Sequence, residues 1–220
     1  MKKPLNFVLI GRSGCGKGTQ AELLIERFGN FCHISTGDLF RDLSKQGTDT
    51  AIKVKKVVES GGLPIDDLAT TLWMHEIAYK VMEDQGIMAD GFPRRINEAN
   101  SLDKFLEFLE RKENTYFILI DISRQEAFGR LTKRRICKQC GELIPWVGEF
   151  KNIKACPKCQ GELVSRMDDK PEAIESRLNY FDQIVSEVIE YYKEQGKLIT
   201  VNGEQPIEDV FKDILKAIKA

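Results

Sequence analysis

The sequence predicts an α/β protein: a mostly parallel sheet with helices on both faces, interrupted by two insertions. Three observations carry that expectation. Short apolar runs suited to buried parallel strands alternate with stretches whose apolar residues step by three or four. The first run, 5–10, passes through a glycine-rich loop, Gly11-Arg12-Ser13-Gly14-Cys15-Gly16-Lys17-Gly18-Thr19-Gln20, into a helical pattern. Composition then changes abruptly at 137–159, which is rich in Cys, Gly, Lys and Pro and lacks a clear amphipathic period.

The bulk properties fit this plan. A chain of 220 residues accommodates one α/β domain with insertions, and a hydrophobic fraction of 42% supports a sizeable core. A formal net charge of −1 exerts no global pull toward nucleic acid or an anionic membrane. No apolar run approaches the ~20 residues of a membrane span. The N-terminal apolar stretch is too short for a signal peptide and ends in the glycine-rich loop, so the expectation is a cytosolic protein without a membrane partner. Nothing fixes the oligomeric state, and a monomer is the default. Of the six cysteines, Cys15 and Cys32 read as buried or loop thiols.

Taken in order, residues 19–27 read as a helix with Ala21, Leu24, Ile25 and Phe28 on one side. A second strand is expected at 31–35. Ser35-Thr36-Gly37-Asp38 then supplies capping residues for a helix at 39–44. The next helix, 49–59, has Ile52, Val54, Val57 and Val58 as its apolar positions and stops at Ser60-Gly61-Gly62, with Pro64 preventing continuation. Asp66 or Asp67 caps a helix at 68–82. Residues 87–90 form a short strand ending in an acid, followed by the loop Gly91-Phe92-Pro93-Arg94-Arg95 and a helix at about 97–112. A strand at 116–120 and a helix at 125–135 lead to the cysteine segment. Pro171 suits a first helical position, and Ile174, Leu178, Phe181, Val185, Val188 and Tyr192 continue one stripe. A strand at 197–201 and a helix at 206–220 close the chain.

Four constellations carry chemistry. In the loop, glycines let backbone N–H groups converge on phosphate oxygens, the helix N-terminus adds positive potential, and Lys17 reaches the β- and γ-phosphates. The pattern asks for Ser or Thr directly after the lysine, whereas this chain has Gly18, with Thr19 one place later. A turn without a ligand is the competing reading. It does not explain why strand, loop, lysine and helix occur together. Second, Cys137-x-x-Cys140 and Cys156-x-x-Cys159 can place four thiolates around one structural zinc. Four free thiols are an alternative. A nucleic-acid-binding ribbon using Lys133, Arg134, Arg135, Lys138, Lys151, Lys154 and Lys158 is another, but no aromatic platform accompanies those charges. Third, Arg41, Arg94, Arg134, Arg166 and Arg177 stand beside loops or helix ends that a parallel sheet brings to one edge. Phosphoryl transfer needs such planar, permanently charged donors, although any one of these arginines alone reads as a surface residue. Fourth, Asp90 ends a strand where a phosphate-loop enzyme places the acid that orients Mg²⁺, directly or through water; a cap is the alternative. Asp168-Asp169 either clamp the cysteine segment or cap the helix at Pro171.

These residues resemble the adenylate kinase family, in its long form with a zinc-bearing lid. The resemblance runs the whole chain. It rests on Gly11-x-x-Gly14-x-Gly16-Lys17-Gly18-Thr19-Gln20, Ile34-Ser35-Thr36-Gly37-Asp38, Asp90-Gly91-Phe92-Pro93-Arg94, Lys133-Arg134-Arg135, the four cysteines and Arg166-Met167-Asp168-Asp169. Lys-Gly-Thr is what such kinases carry after the loop. The resemblance implies reversible phosphoryl transfer from MgATP to AMP, with ATP, AMP and ADP as the partners, Mg²⁺ and structural Zn²⁺ as the cofactors, and no nucleic acid. It implies a phosphate-loop core at 1–34, 65–134 and 167–220, a helical flap for the monophosphate at 35–64 and a zinc lid at 135–166.

Roles carry over by position. Gly14, Cys15, Gly16, Lys17, Gly18 and Thr19 would wrap the ATP phosphates, with Arg130 and Arg134 nearby and Leu143 and Ile144 against the ATP base. Thr36, Arg41, Gly62, Leu63, Pro64, Gly91, Phe92, Pro93, Arg94 and Glu98 would hold AMP. Arg166 and Arg177 would bridge the two phosphate chains. Lys17, Arg94, Arg134, Arg166 and Arg177 form the implied catalytic set, and Asp90 serves Mg²⁺. Two positions depart from the family pattern. Glu98 replaces a glutamine that reads adenine, and a carboxylate can only accept, which suits the N–H donors of guanine or the amino group of cytosine. Leu143-Ile144 stand where similar lids carry Thr-Tyr. An acceptor other than AMP, GMP or CMP above all, and a phosphate-loop ATPase with a nucleic-acid-binding ribbon are the rival readings.

Overall fold

The computed structural model describes residues 3–166 and 168–219. Met1, Lys2 and Ala220 lie outside the described residues, as does Met167 of the Arg166–Asp169 run. Five strands form one parallel sheet: β1 (Asn6–Ile10), β2 (Phe31–Ser35), β3 (Gly86–Asp90), β4 (Thr115–Asp121) and β8 (Leu198–Asn202), in the order β2-β3-β1-β4-β8. All five residues of β1 are buried, as an apolar strand covered on both faces requires. Alternation then divides the interior. Phe7, Leu9, Met88, Ile118 and Ile120 face α1 (Lys17–Phe28), α6 (Arg124–Lys133), α7 (Pro171–Tyr180) and α9 (Ile207–Ala217). Val8, Ile10, Ala89, Phe117 and Leu119 face α4 (Asp66–Lys80), α5 (Ile96–Phe108) and α8 (Ser186–Glu194).

The expected elements are present with shifted ends. The helix predicted at 39–44 begins earlier, as α2 (Thr36–Leu43). Ser35 stands at its N-cap without a side-chain cap bond, and Thr36 Oγ1 instead donates across the fold to the Gly91 carbonyl at 2.7 Å. In α3 (Asp49–Glu59) Thr48 accepts from Ala51 N as the cap, and Ile52 faces solvent at 52% exposure rather than joining the apolar side. α4 starts at Asp66 with Ile65 before it, so Asp66 and Asp67 lie inside the first turn and complement the helix dipole instead of capping. α5 ends at Phe108. The single helix suggested by the Ile174–Tyr192 stripe is two helices joined by a wider π turn at Phe181–Val185; the turn keeps Phe181 and Val185 on the buried side.

The cysteine segment is more regular than its composition suggested. β5 (Arg135–Cys137), β6 (Leu143–Ile144) and β7 (Leu163–Val164) make a small antiparallel sheet in the order β6-β5-β7. α6 stops at Lys133, and Arg134 turns to extended backbone as the chain enters this sheet.

Candidate active site

The C-terminal ends of β1 and β3 point into a crevice where the chain, having built β2 and β3 on one side of β1, crosses to build β4 and β8 on the other. Ligands bind at such points in open α/β sheets. The glycine-rich loop spans the end of β1. Gly16 adopts φ 103 at the N-cap of α1, a left-handed conformation that glycine takes without strain. Lys17 Nζ folds back over this loop and donates to the carbonyls of Gly11 (2.9 Å) and Arg12 (3.2 Å). Arg12 anchors the loop from outside: it donates to Ile122 O at 2.9 Å, pairs with Asp182 at 2.8 Å and lies 4.5 Å over the Phe181 ring.

Lys17, Asp90, Arg41, Arg94, Arg134, Arg166 and Arg177 all line one cleft, together with Gly14, Cys15, Gly16, Gly18 and Thr19. Carboxylates hold several of these arginines in place. Asp169 accepts from Arg134 Nε (2.8 Å) and Nη2 (2.7 Å) and from Arg177 Nη2 (2.7 Å). Asp168 takes a two-pronged bond from Arg166, at 3.0 and 2.8 Å, and Arg41 pairs with Asp38. Burial, with Arg134 close by, brings the Arg166 guanidinium down to about 10, so it stays charged at neutral pH. Burial also lowers Arg94, against the pull of Glu98 and Asp90. Asp90 lies 4.0 Å from His33 Nε2, and an ideal Cβ on Gly18 would sit 4.0 Å from Asp90 Oδ2, an ordinary contact.

One end of the cleft narrows into a recess walled by Phe40, Leu63, Pro64 and Ala69, with Thr36, Gly91, Arg94 and Glu98 supplying the polar groups. Gly61, at the flank of this end, has φ +76, and a Cβ there would lie 2.2 Å from Ala173 O; only glycine lets the two backbones approach so closely. Gly62 lines the cleft and Pro93 the space beside the loop. Phe92 is different: at 1% exposure it stacks on Trp73 (5.1 Å between centroids) and supports the recess from behind.

The other end is built from the small sheet and the β8–α9 loop. Leu143 lines it, but Ile144 is only 4% exposed and does not; Pro145, Trp146 and Val147 stand there instead. Lys133 sits 5.5 Å over the Trp146 ring. Arg130 holds the opposite wall, donating to Gly203 O at 3.0 Å while Glu126 accepts from its Nε at 2.7 Å. Gly203, Gln205 and Ile207 complete that wall. The sequence reading missed Pro145, Trp146, Val147, Gly203, Gln205 and Ile207. The available signal was positional, because β8 ends on the same edge of the sheet as the glycine-rich loop.

Apart from this cleft, Cys137, Cys140, Cys156 and Cys159 offer four sulfurs within 4.8 Å of one another, the one such His/Cys/Asp/Glu group among the described residues. Cys137 and Cys159 sulfurs are 3.4 Å apart, and those of Cys140 and Cys156 are 3.6 Å apart. Zn–S bonds of about 2.3 Å place tetrahedral sulfurs about 3.8 Å apart, so the cluster fits zinc. Backbone N–H groups of Cys140 and Gln139 bring the Cys137 thiol down to about 6, whereas Cys140 and Cys137 push the Cys159 thiol up to about 12. Four clustered thiols ionise in succession unless a cation takes their charge. The two knuckles turn differently. Gly141 takes the left-handed position after Cys140 (φ 76), but after Cys159 Gln160 takes it (φ 62). Gly161 is required for another reason: a Cβ there would meet Cys137 Sγ at 2.8 Å. Two of the basic residues nearby are paired, Lys138 with Glu162 and Lys158 with Glu142, each at 3.3 Å.

A parallel sheet, a lysine-bearing phosphate loop and arginines lining one cleft define a phosphotransferase of the nucleoside monophosphate kinase type. A family model described as adenylate kinase matches residues 9–197. The chain is 39% identical over 218 residues to an adenylate kinase of Methanocella arvoryzae, covering 98% of this chain and 99% of that one. It is 36% identical over 217 residues to one from Acetivibrio thermocellus (97% and 98% covered), and 38% over 211 residues to one from a Geobacillus species (96% and 96%). The chain belongs to the adenylate kinase family. No helix is long and apolar enough to cross a membrane among the described residues.

Proposed function

We propose that this protein catalyses ATP + AMP = 2 ADP with Mg²⁺, and that its cleft holds the two nucleotides with their phosphate chains end to end. The observation that carries this reading is that Lys17 and six arginines line one cleft whose ends are differently built. ATP lies with its phosphates in Gly14–Thr19 and its base between the Leu143–Val147 side and the Gly203–Ile207 wall. Arg130 supports that wall, and Arg134 reaches the phosphates. AMP lies with its phosphate on Arg41 and Arg94 and its base in the recess of Thr36, Leu63, Pro64 and Glu98. Arg166 and Arg177 span both chains. Asp90, in the cleft lining, would hold Mg²⁺, which would supply neutralisation of phosphate charge.

The protein's own residues then do the chemistry by position and charge. Transfer develops negative charge on the moving group, and Lys17 with the arginines meets it with fixed donors in a site that excludes water. Lys17 leaves its loop carbonyls for the phosphate, a partner that bears full charge. We assign 35–64 as a flap closing over AMP and 135–166 as a lid closing over ATP, with structural zinc in the four cysteines; closure denies the phosphoryl group to water. Pairing of Lys138 and Lys158 with lid carboxylates speaks against a nucleic-acid ribbon. The test is coupled phosphotransfer from ATP to AMP, GMP, CMP and UMP. AMP turnover with two ADP formed per ATP consumed is expected; no turnover with any acceptor overturns the reading.

A further inference from the structure

Glu98 is a glutamate with 3% exposure in the floor of the recess. Its Oε2 accepts from Arg94 N at 2.6 Å, and its other oxygen has no partner among the described residues. The neighbouring polar groups are already engaged. Thr36 Oγ1 and Arg94 Nε both donate to Gly91 O, and Tyr180 accepts from Arg95 Nε. Oε1 is therefore an unengaged hydrogen-bonding atom at the recess, beside an Oε2 that keeps a second lone pair. The backbone N–H of Arg94 reserves Oε2 as an acceptor, so a proton on this carboxyl resides on Oε1. That oxygen is a donor when Glu98 is neutral and an acceptor when it is ionised.

This difference maps onto purine edges. Adenine offers an acceptor at N1 beside an amino donor, a pattern that neutral Glu98 matches with one donor and one acceptor. Guanine offers two adjacent donors, N1–H and N2–H, a pattern that ionised Glu98 matches with two acceptors. Building on the acceptor site assigned above, we propose that Glu98 is a proton-operated selector of the acceptor base, favouring AMP when neutral and admitting GMP when ionised. The charged and titratable groups facing it are Asp66 of α4, Tyr180 of α7, and Arg94 and Arg95 just before its own helix α5. Burial, aided by Asp66, lifts the carboxyl above the ordinary glutamate value, against the Arg94 N–H and the charges of Arg94 and Arg95. Titration thus moves toward the working pH range.

The experiment measures kcat/KM for AMP and for GMP from about pH 5 to 8 in wild type and in Glu98→Gln, and takes their ratio. Both acceptors carry the same phosphate and face the same arginines, so ionisations elsewhere cancel. The AMP-to-GMP ratio is expected to fall roughly tenfold or more as pH rises in wild type, because a buried polar group changes from matched to unmatched. In Glu98→Gln, whose amide always offers a donor and an acceptor, the ratio should be high and flat. A flat ratio in wild type with sound AMP turnover overturns the selector and leaves the kinase assignment standing. Absence of AMP turnover at every pH overturns the assignment itself.

Discussion

Asp169 receives Arg134 through two hydrogen bonds, at 2.8 and 2.7 Å, with its own side chain only 2% exposed. The pair joins the residue at which the chain enters the small sheet to a residue just after the chain leaves it. Arg177 shares the same carboxylate, so one buried acid orients two cleft arginines. Asp169→Ala leaves the nearly buried Arg134 guanidinium without its carboxylate, which costs about 3–5 kcal/mol in comparable pairs, while Arg177 keeps Asp168. The expected outcome in denaturant titration is a large loss of stability, with a smaller loss for Asp169→Asn. Wild-type stability in the alanine variant would show that solvent already screens these arginines.

Among the described residues Lys17 Nζ bonds only to loop carbonyls and the Cys15 sulfur, so its removal should spare the fold. Lys17→Met is expected to melt close to wild type while kcat falls by several orders of magnitude, because the lost charge acts on the transition state. Comparable turnover in the two proteins would remove the glycine-rich loop from the chemistry.

The cysteine cluster should contain one zinc per chain, measured by elemental analysis of unchelated protein. Cys156→Ser and Gly161→Ala are both expected to weaken metal retention and lower Tm more than they lower activity at low temperature. The first removes a ligand; the second forces a Cβ to within 2.8 Å of the Cys137 sulfur. Metal-free protein with an unchanged Tm would contradict this.

Acid should destabilise the arginine cluster. Burial alone would raise Asp168, but Arg166, Arg177 and Arg134 outweigh it and hold its carboxyl below the ordinary value. A carboxyl lowered in the folded state adds stability that is present above its unfolded pKa, about 3.9, and is lost as pH falls through the folded value. Tm should therefore drop steeply below about pH 4 in wild type and less steeply in Asp168→Asn. Parallel curves would assign the acid sensitivity elsewhere.

Periodicity and punctuation made most of the fold legible. β1 and β4 read as buried runs, Pro171 marked a helix start, and the paired cysteines marked the insertion. The misplaced features depend on tertiary partners. Ile52 is apolar in the right phase yet faces solvent, because a local stripe does not reveal which neighbour covers it. Gly161 is crowded by a sulfur 24 residues earlier, and Ser35 makes no cap bond while Thr36 bonds across the fold to Gly91. In the cleft, charged residues at loop positions were legible as a class. Trp146 and the Gly203–Ile207 wall were not, since their place follows from where β6 and β8 end. Phe92 shows the converse: it lies in a motif that lines the cleft but packs on Trp73.

The central claim is that the phosphoryl group passes to a nucleoside monophosphate and not to water. It is tested most directly by following ATP labelled on its γ-phosphate, with Mg²⁺ and with or without AMP. The account predicts that with AMP the label appears in ADP, with little inorganic phosphate, and that without AMP the ATP persists. Label released as inorganic phosphate at a similar rate in both mixtures would make this cleft a hydrolase and contradict the account.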